Sequence, residues 1–80
     1  MFLKEAIELR IDDLCKEKNI TWNKLSTICG ITQSTLANWK KRPKTNISTV
    51  TVLRICRGLE IDIQEFFNSP IFKNTDFEDE

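Results

Sequence analysis

The stretch Thr21-Trp22-Asn23-Lys24-Leu25-Ser26-Thr27-Ile28-Cys29-Gly30-Ile31-Thr32-Gln33-Ser34-Thr35-Leu36-Ala37-Asn38-Trp39-Lys40-Lys41 decides how this chain folds. It contains the same signal twice: an isoleucine, a threonine, and a leucine four places beyond the threonine, as Ile20, Thr21, Leu25 and again as Ile31, Thr32, Leu36. An apolar residue packed against the first turn, with a hydroxyl placed to satisfy free backbone N–H groups, marks a helix start. Gly30 sits where the chain must reverse, and glycine enters the left-handed backbone region without penalty. Leu25, Cys29, Ile31, Leu36 and Trp39 supply apolar contacts between the two helices, and Ser26 is small enough for close approach. The reading is therefore two short helices joined by a tight turn. The second runs from Thr32 to about Lys40 with its early polar residues outward.

The same start signal recurs downstream as Ile47, Ser48, Val52 and as Ile61, Asp62, Phe66, where Asp62 and Glu65 add a capping-box-like pair. Upstream, Leu3, Ile7, Ile11 and Leu14 form one apolar stripe, which predicts a first helix from about Phe2 to Lys18. Val52, Ile55, Cys56 and Leu59 give the fourth helix an inner face, and Ile63, Phe66 and Phe67 are expected to close the core from the fifth. No hairpin signal and no sustained alternation compete with these periods. The fold class is thus all-α, five compact helices over residues 1–68. Residues 69–80 are expected to be a tail, acidic and mobile at its end, with Ile71, Phe72 and Phe77 either folded back on the core or turned toward a second subunit.

Eighty residues make one domain, with little room for an enclosed catalytic cleft. Cys15, Cys29 and Cys56 are odd in number, lack CxxC spacing and fall among apolar neighbours, so they read as reduced core thiols. The chain has no histidine, which removes the usual general base and familiar zinc sites; neither an enzyme, a cofactor nor a metal is expected. No apolar run approaches membrane-spanning length, and Lys4, Glu5 and Glu8 interrupt the first nine residues, so no signal-peptide core is present and the cytoplasm is the expected location.

The formal net charge is zero, but the charges are segregated. From Lys18 through Leu59 the chain carries Lys18, Lys24, Lys40, Lys41, Arg42, Lys44, Arg54 and Arg57 and no acid, a local charge of +8, whereas residues 1–17 carry −2 and residues 60–80 carry −6. A polyanion responds to the field of the nearby surface, which reaches about 8 Å in physiological salt, more than to the total. A neutral chain can therefore present a phosphate-binding face.

The segments NITWNKLSTICGITQSTLANWKK (residues 19–41) and VLRICRGLEIDIQEFF (residues 52–67) resemble the lambda-repressor-like helix-turn-helix family, also called the Xre or Cro type, over about Arg10 to Phe67. The resemblance implies a five-helix fold whose third helix reads bases in double-stranded DNA, usually as a homodimer on a palindromic operator, in bacterial or phage regulators. Its base readers match Gln33, Ser34 and Asn38. Chemistry agrees: Gln and Asn can pair bidentately with adenine N6 and N7, and Ser is a less selective donor and acceptor. Three polar residues alone would make an ordinary solvated face; their place after the turn glycine and before a basic run favours base contact.

Thr32 and the backbone N–H groups beside it can meet a phosphate at a helix start. Lys40, Lys41, Arg42 and Lys44 fill the following loop, where the resemblance implies contact with the DNA backbone, and Thr21 and Lys24 are further phosphate candidates. Arg54 and Arg57 lie further along the fourth helix. Two departures stand out: Trp22 occupies a position where the family often has a phosphate-contacting Gln, and Ser26 stands where alanine is frequent. Trp22 could pack on the first helix or rest against the sugar-phosphate backbone, whereas Trp39 reads as core.

These features predict a sequence-specific transcriptional regulator, a repressor by preference. The alternative is an antitoxin-like interaction protein that engages a protein partner through its C-terminal tail and autoregulates through DNA.

Overall fold

The computed structural model describes residues 1–76; Phe77 and the rest of the acidic end, expected to be mobile, lie outside the described residues. The elements are α1 (Leu3–Lys18), α2 (Trp22–Cys29), α3 (Gln33–Lys41), α4 (Thr49–Gly58), α5 (Ile63–Phe67) and a closing 3-10 turn, Pro70–Asn74. The all-α, five-helix expectation holds, with α2 and α3 as the paired helices around Gly30.

Three of the junctions use one device. Asn19, Gly30 and Glu60 stand at φ of 58°, 69° and 58°, just beyond the ends of α1, α2 and α4. The isoleucine that follows each one donates its N–H back into the finished helix, Ile20 to the Cys15 carbonyl at 2.9 Å, Ile31 to Ser26 at 3.0 Å and Ile61 to Cys56 at 2.9 Å. This left-handed closure satisfies helix-end carbonyls and points the isoleucine inward, where Ile31 is buried and Ile20 and Ile61 pack partly covered against the core. The next residue stands at the N-cap position of the next helix. Glycine meets the left-handed demand freely and Asn19 tolerates it, while Glu60 adopts it at a cost of about 1–2 kcal/mol.

Capping follows the sequence reading at three starts: the Thr21 hydroxyl accepts from Lys24 N at 3.1 Å, Ser48 from Thr51 N at 3.1 Å, and the Asp62 carboxylate from Glu65 N at 2.7 Å. Thr32 corrects that reading. Its hydroxyl is bonded to the Thr35 hydroxyl at 2.5 Å and accepts from no backbone N–H of its own helix.

The core is a single cluster in which Ile11, Leu25, Leu36, Ile55, Cys56 and Phe66 are fully enclosed. Of the stripe read on the first helix, Ile7, Ile11 and Leu14 are buried and Leu3 is half-buried. The fifth helix departs from expectation: Phe66 alone of its three apolar residues is buried, whereas Ile63 and Phe67 are 41% and 40% exposed. One turn of helix has one inner face, and residues four apart share the other.

Helices α2 and α4 pack most closely. A methyl group at Gly58 would lie 2.4 Å from Cys29 Sγ and 3.0 Å from Cys29 Cα, so this crossing requires glycine. Two ties reach out from α1. Arg10 donates from Nε to the Phe66 carbonyl at 2.7 Å and from Nη2 to the Glu65 carbonyl at 2.9 Å, closing the end of α5 with a cation. The closing segment then returns to the start of α1: Leu3 N donates to the Asp76 carbonyl at 2.7 Å and Asp76 N to the Met1 carbonyl at 2.9 Å. Phe72, whose sequence context allows either core or subunit contact, folds back with its ring centroid 5.0 Å from Phe67 and 6.4 Å from Phe66.

Candidate nucleic-acid interface

Helix α3 buries Leu36 and Trp39 and exposes Gln33, Ser34 and Asn38. Ser34 and Asn38 are four residues apart and share a face one turn long, with Gln33 about 100° round from Ser34. None of the three makes a side-chain hydrogen bond to a helix or core group among the described residues, apart from a 3.5 Å contact between the Thr32 and Ser34 hydroxyls. Their amide and hydroxyl groups are therefore free to bond outward.

Because the Thr32 hydroxyl is turned to Thr35, the first backbone N–H groups of α3 have no side-chain cap. That leaves donors and the positive end of the helix dipole beside the exposed Gln33 and Ser34, an arrangement that favours an anion. Thr21 and Lys24 are exposed at the start of α2, with the Thr21 hydroxyl already accepting from Lys24 N.

Lys40, Lys41, Arg42 and Lys44 are exposed over the last turn of α3 and the loop beyond it. Lys40 is held: its ammonium lies 4.4 Å from the centroid of the Trp22 ring. Between α3 and the start of α4 runs an open groove of about 280 Å³, in which Asn38 and Arg42 are joined by Thr35, Thr45, Asn46 and Ser48. Sequence reasoning does not single out Thr45 and Asn46. Their signal is weak: two hydrogen-bonding side chains between a basic run and a helix cap.

Trp22 is half-buried and packed, in agreement with one of the two sequence readings. Its Nε1 donates to Asp12 of α1 at 2.6 Å, and its ring stacks on Trp39 with centroids 6.4 Å apart. Trp39 is core, 7% exposed, and its Nε1 has no hydrogen-bond partner among the described residues. On the α1 side of Trp39 stands Lys4, whose ammonium is 4.4 Å from the ring centroid. Lys4 is 4% exposed, pairs with Glu8 and donates to the Lys40 carbonyl at 3.1 Å. Sequence reasoning misses it, since a lysine near a chain start reads as a solvated charge.

The cysteines are free thiols in the core, as read from the sequence. Burial raises the pKa of all three, that of Cys29 to about 11, and Cys29 Sγ donates to the Ile55 carbonyl at 3.7 Å. Among the described residues no group of three His, Cys, Asp or Glu side chains is placed to hold a metal, and no helix is long and apolar enough to cross a membrane.

Residues 10–70 match the family described as the Cro/C1-type HTH DNA-binding domain. The chain belongs to that family. In this Cro/C1-type domain the match runs from Arg10, the residue that closes α5, to Pro70, where the closing turn begins, and so takes in α2 to α5 entire. A relative 33% identical over 67 residues, 84% of this chain and 90% of its own length, is the SPbeta prophage-derived uncharacterized HTH-type transcriptional regulator YopS of Bacillus subtilis (strain 168). No solved structure matches the domain. The first nine residues, Lys4 among them, precede the family match.

Proposed function

We propose that this Cro/C1-type domain is a sequence-specific transcriptional regulator that acts in the cytoplasm, and that it represses by occupying an operator. Helix α3 enters the major groove, about 12 Å wide, and presents Gln33, Ser34 and Asn38 to base edges. The backbone N–H groups at Thr32, with Thr21 and Lys24 on α2 and the run Lys40, Lys41, Arg42 and Lys44, meet phosphates on either side. These contacts fix register and supply salt-dependent affinity without reading sequence. The protein acts as a homodimer on an inverted repeat.

One observation carries the reading: the exposed, unengaged polar face of α3 lies between an uncapped helix start and a cluster of exposed cations, within a DNA-binding family. Selection of binders from a pool of random DNA duplexes by the purified protein tests it. Enrichment of an inverted repeat with half-sites about one helical turn apart is expected. Retention without any enriched sequence, at concentrations where salt-sensitive binding is visible, would overturn base reading by α3.

A further inference from the structure

We propose that Lys4 is a positioning residue for the reading helix: from α1 it closes the C-terminal end of α3 and so holds the Gln33–Asn38 face at the angle that base contact requires. The inference rests on the reading of α3 given above, and it concerns a residue that precedes the family match.

A lysine ammonium is among the groups least often enclosed, because removing it from water costs several kcal/mol unless its charge and its donors are answered. Here one answer comes from α1 itself and two come from the end of α3. Lys4 is 4% exposed; its ammonium pairs with Glu8 one turn along α1, faces the Trp39 ring at 4.4 Å and donates to the main-chain carbonyl of Lys40 at 3.1 Å. Trp39 and Lys40 both belong to the last turns of α3, where carbonyls lack an intrahelical partner and the helix dipole is negative. A cation at that point satisfies a carbonyl and the dipole together. Arg10 does the same for α5, six residues further along α1.

Beyond the Trp22–Trp39 stack and the seat of the Lys40 ammonium on the Trp22 ring, the position of α3 has few other fixings. Its N-terminal cap makes no side-chain bond to the helix backbone, and the N–H of its C-terminal cap residue, Arg42, donates back to the Trp39 carbonyl at 3.0 Å. Leu36 and Trp39 hold it by packing, which resists separation better than it resists rotation about the helix axis. The Lys4 bond is directional and anchors the far end. Lys4 in turn stands on a start of α1 that is itself tied down by the Leu3–Asp76 and Asp76–Met1 backbone bonds. The ammonium is enclosed and cannot touch DNA, so its effect on binding is indirect.

The test compares wild type with Lys4→Met, which keeps the stem and removes the charge and its donors. Three readouts are taken below the melting temperature of both proteins: affinity for the selected duplex, affinity and salt slope on a random-sequence duplex, and amide hydrogen exchange of Asn38–Lys41 against α4. The expected result is a loss of about tenfold or more on the selected duplex, with random-duplex affinity and slope unchanged. Exchange should be at least tenfold faster in the last turn of α3 and unaltered in α4. Lys4→Gln, milder because it keeps an N–H donor, should show the same split and serves if Lys4→Met does not fold. Equal losses on both duplexes with a shallower salt slope would make Lys4 a phosphate contact and overturn the proposal. Unchanged discrimination, or exchange that rises equally in α3 and α4, would reduce Lys4 to general stability and overturn it too. Wild type without any sequence preference would instead defeat the reading of α3, and hydrogen exchange would still decide whether Lys4 anchors that helix.

Discussion

Trp22 is stacked on Trp39, the ring centroids 6.4 Å apart and the planes 24° from parallel, so the first residue of α2 meets the last turn of α3. A cation faces each end of the pair, Lys4 over Trp39 and Lys40 over Trp22. Asp12 accepts the Trp22 indole N–H at 2.6 Å and fixes its rotation. Three helices thus meet in one column behind the reading face. Trp22→Ala removes the stack, the charged hydrogen bond and the seat of Lys40, and should lower stability by about 2–4 kcal/mol in urea unfolding. Trp22→Phe, which keeps most of the ring and loses the hydrogen bond, should cost about 1–2 kcal/mol. Equal costs would mean that the ring contributes little.

Replacing Lys40, Lys41, Arg42 and Lys44 together by neutral residues should weaken binding to every duplex and flatten the dependence of affinity on salt. For every phosphate that is no longer neutralised, the slope of log K against log salt should become shallower by about 0.9. Titrations at several salt concentrations measure this. Because the Lys40 ammonium is held over Trp22, its single replacement should also cost stability, while those of Lys41 and Lys44 should not.

Gln33→Ala or Asn38→Ala should cost about 1–3 kcal/mol on the selected duplex and relax preference at one base pair, leaving binding to random duplex unchanged. Both side chains are exposed, so melting temperature should hardly move. A uniform loss on all sequences would show α3 resting on the backbone without reading it.

The two glycines should respond to alanine for different reasons. At Gly58 the new methyl meets Cys29 Sγ at 2.4 Å, and Gly58→Ala should destabilise by about 1–3 kcal/mol by forcing α2 and α4 apart. Cys29→Ala should recover part of that loss, since the methyl would then meet residue 29 only at its Cβ and Cα positions; a double-mutant cycle measures the coupling. At Gly30 an added methyl meets nothing within 4 Å, so Gly30→Ala should cost about 1–2 kcal/mol through its φ of +69° alone, with no such rescue.

The Cys29 thiol has its pKa raised by burial from 9.0 to about 11. A native pKa above the unfolded one means that, between them, the native state holds the proton that the unfolded state has released. Its contribution to stability is complete below about pH 9 and is lost as pH rises through about 11. Urea unfolding across that window should show stability falling with pH, and Cys29→Ala should flatten the fall. At pH 7 the thiols should alkylate slowly in folded protein and readily in denaturant.

Much of this protein is legible in its sequence because the deciding information is local. An isoleucine before a capping residue, an apolar residue four further on, and Gly30 at a reversal act within a few residues, and they set five helices and the turn between α2 and α3. The segregation of acid from base, and the polar run Gln33, Ser34 and Asn38 ahead of Lys40–Lys44, are likewise properties of order along the chain. Tertiary structure decided what depends on partners distant in sequence. Whether Trp22 packs inward rests on Asp12 and Trp39; that Phe67 faces out and Phe72 folds in rests on how a one-turn α5 is seated. That Lys4 is enclosed beneath the end of α3 rests on a carbonyl 36 positions away. Charge and hydropathy identify a lysine as a solvent-seeking residue; Glu8 one turn away supplies a carboxylate, but only neighbours brought in by folding can supply the acceptor and the ring that complete its burial.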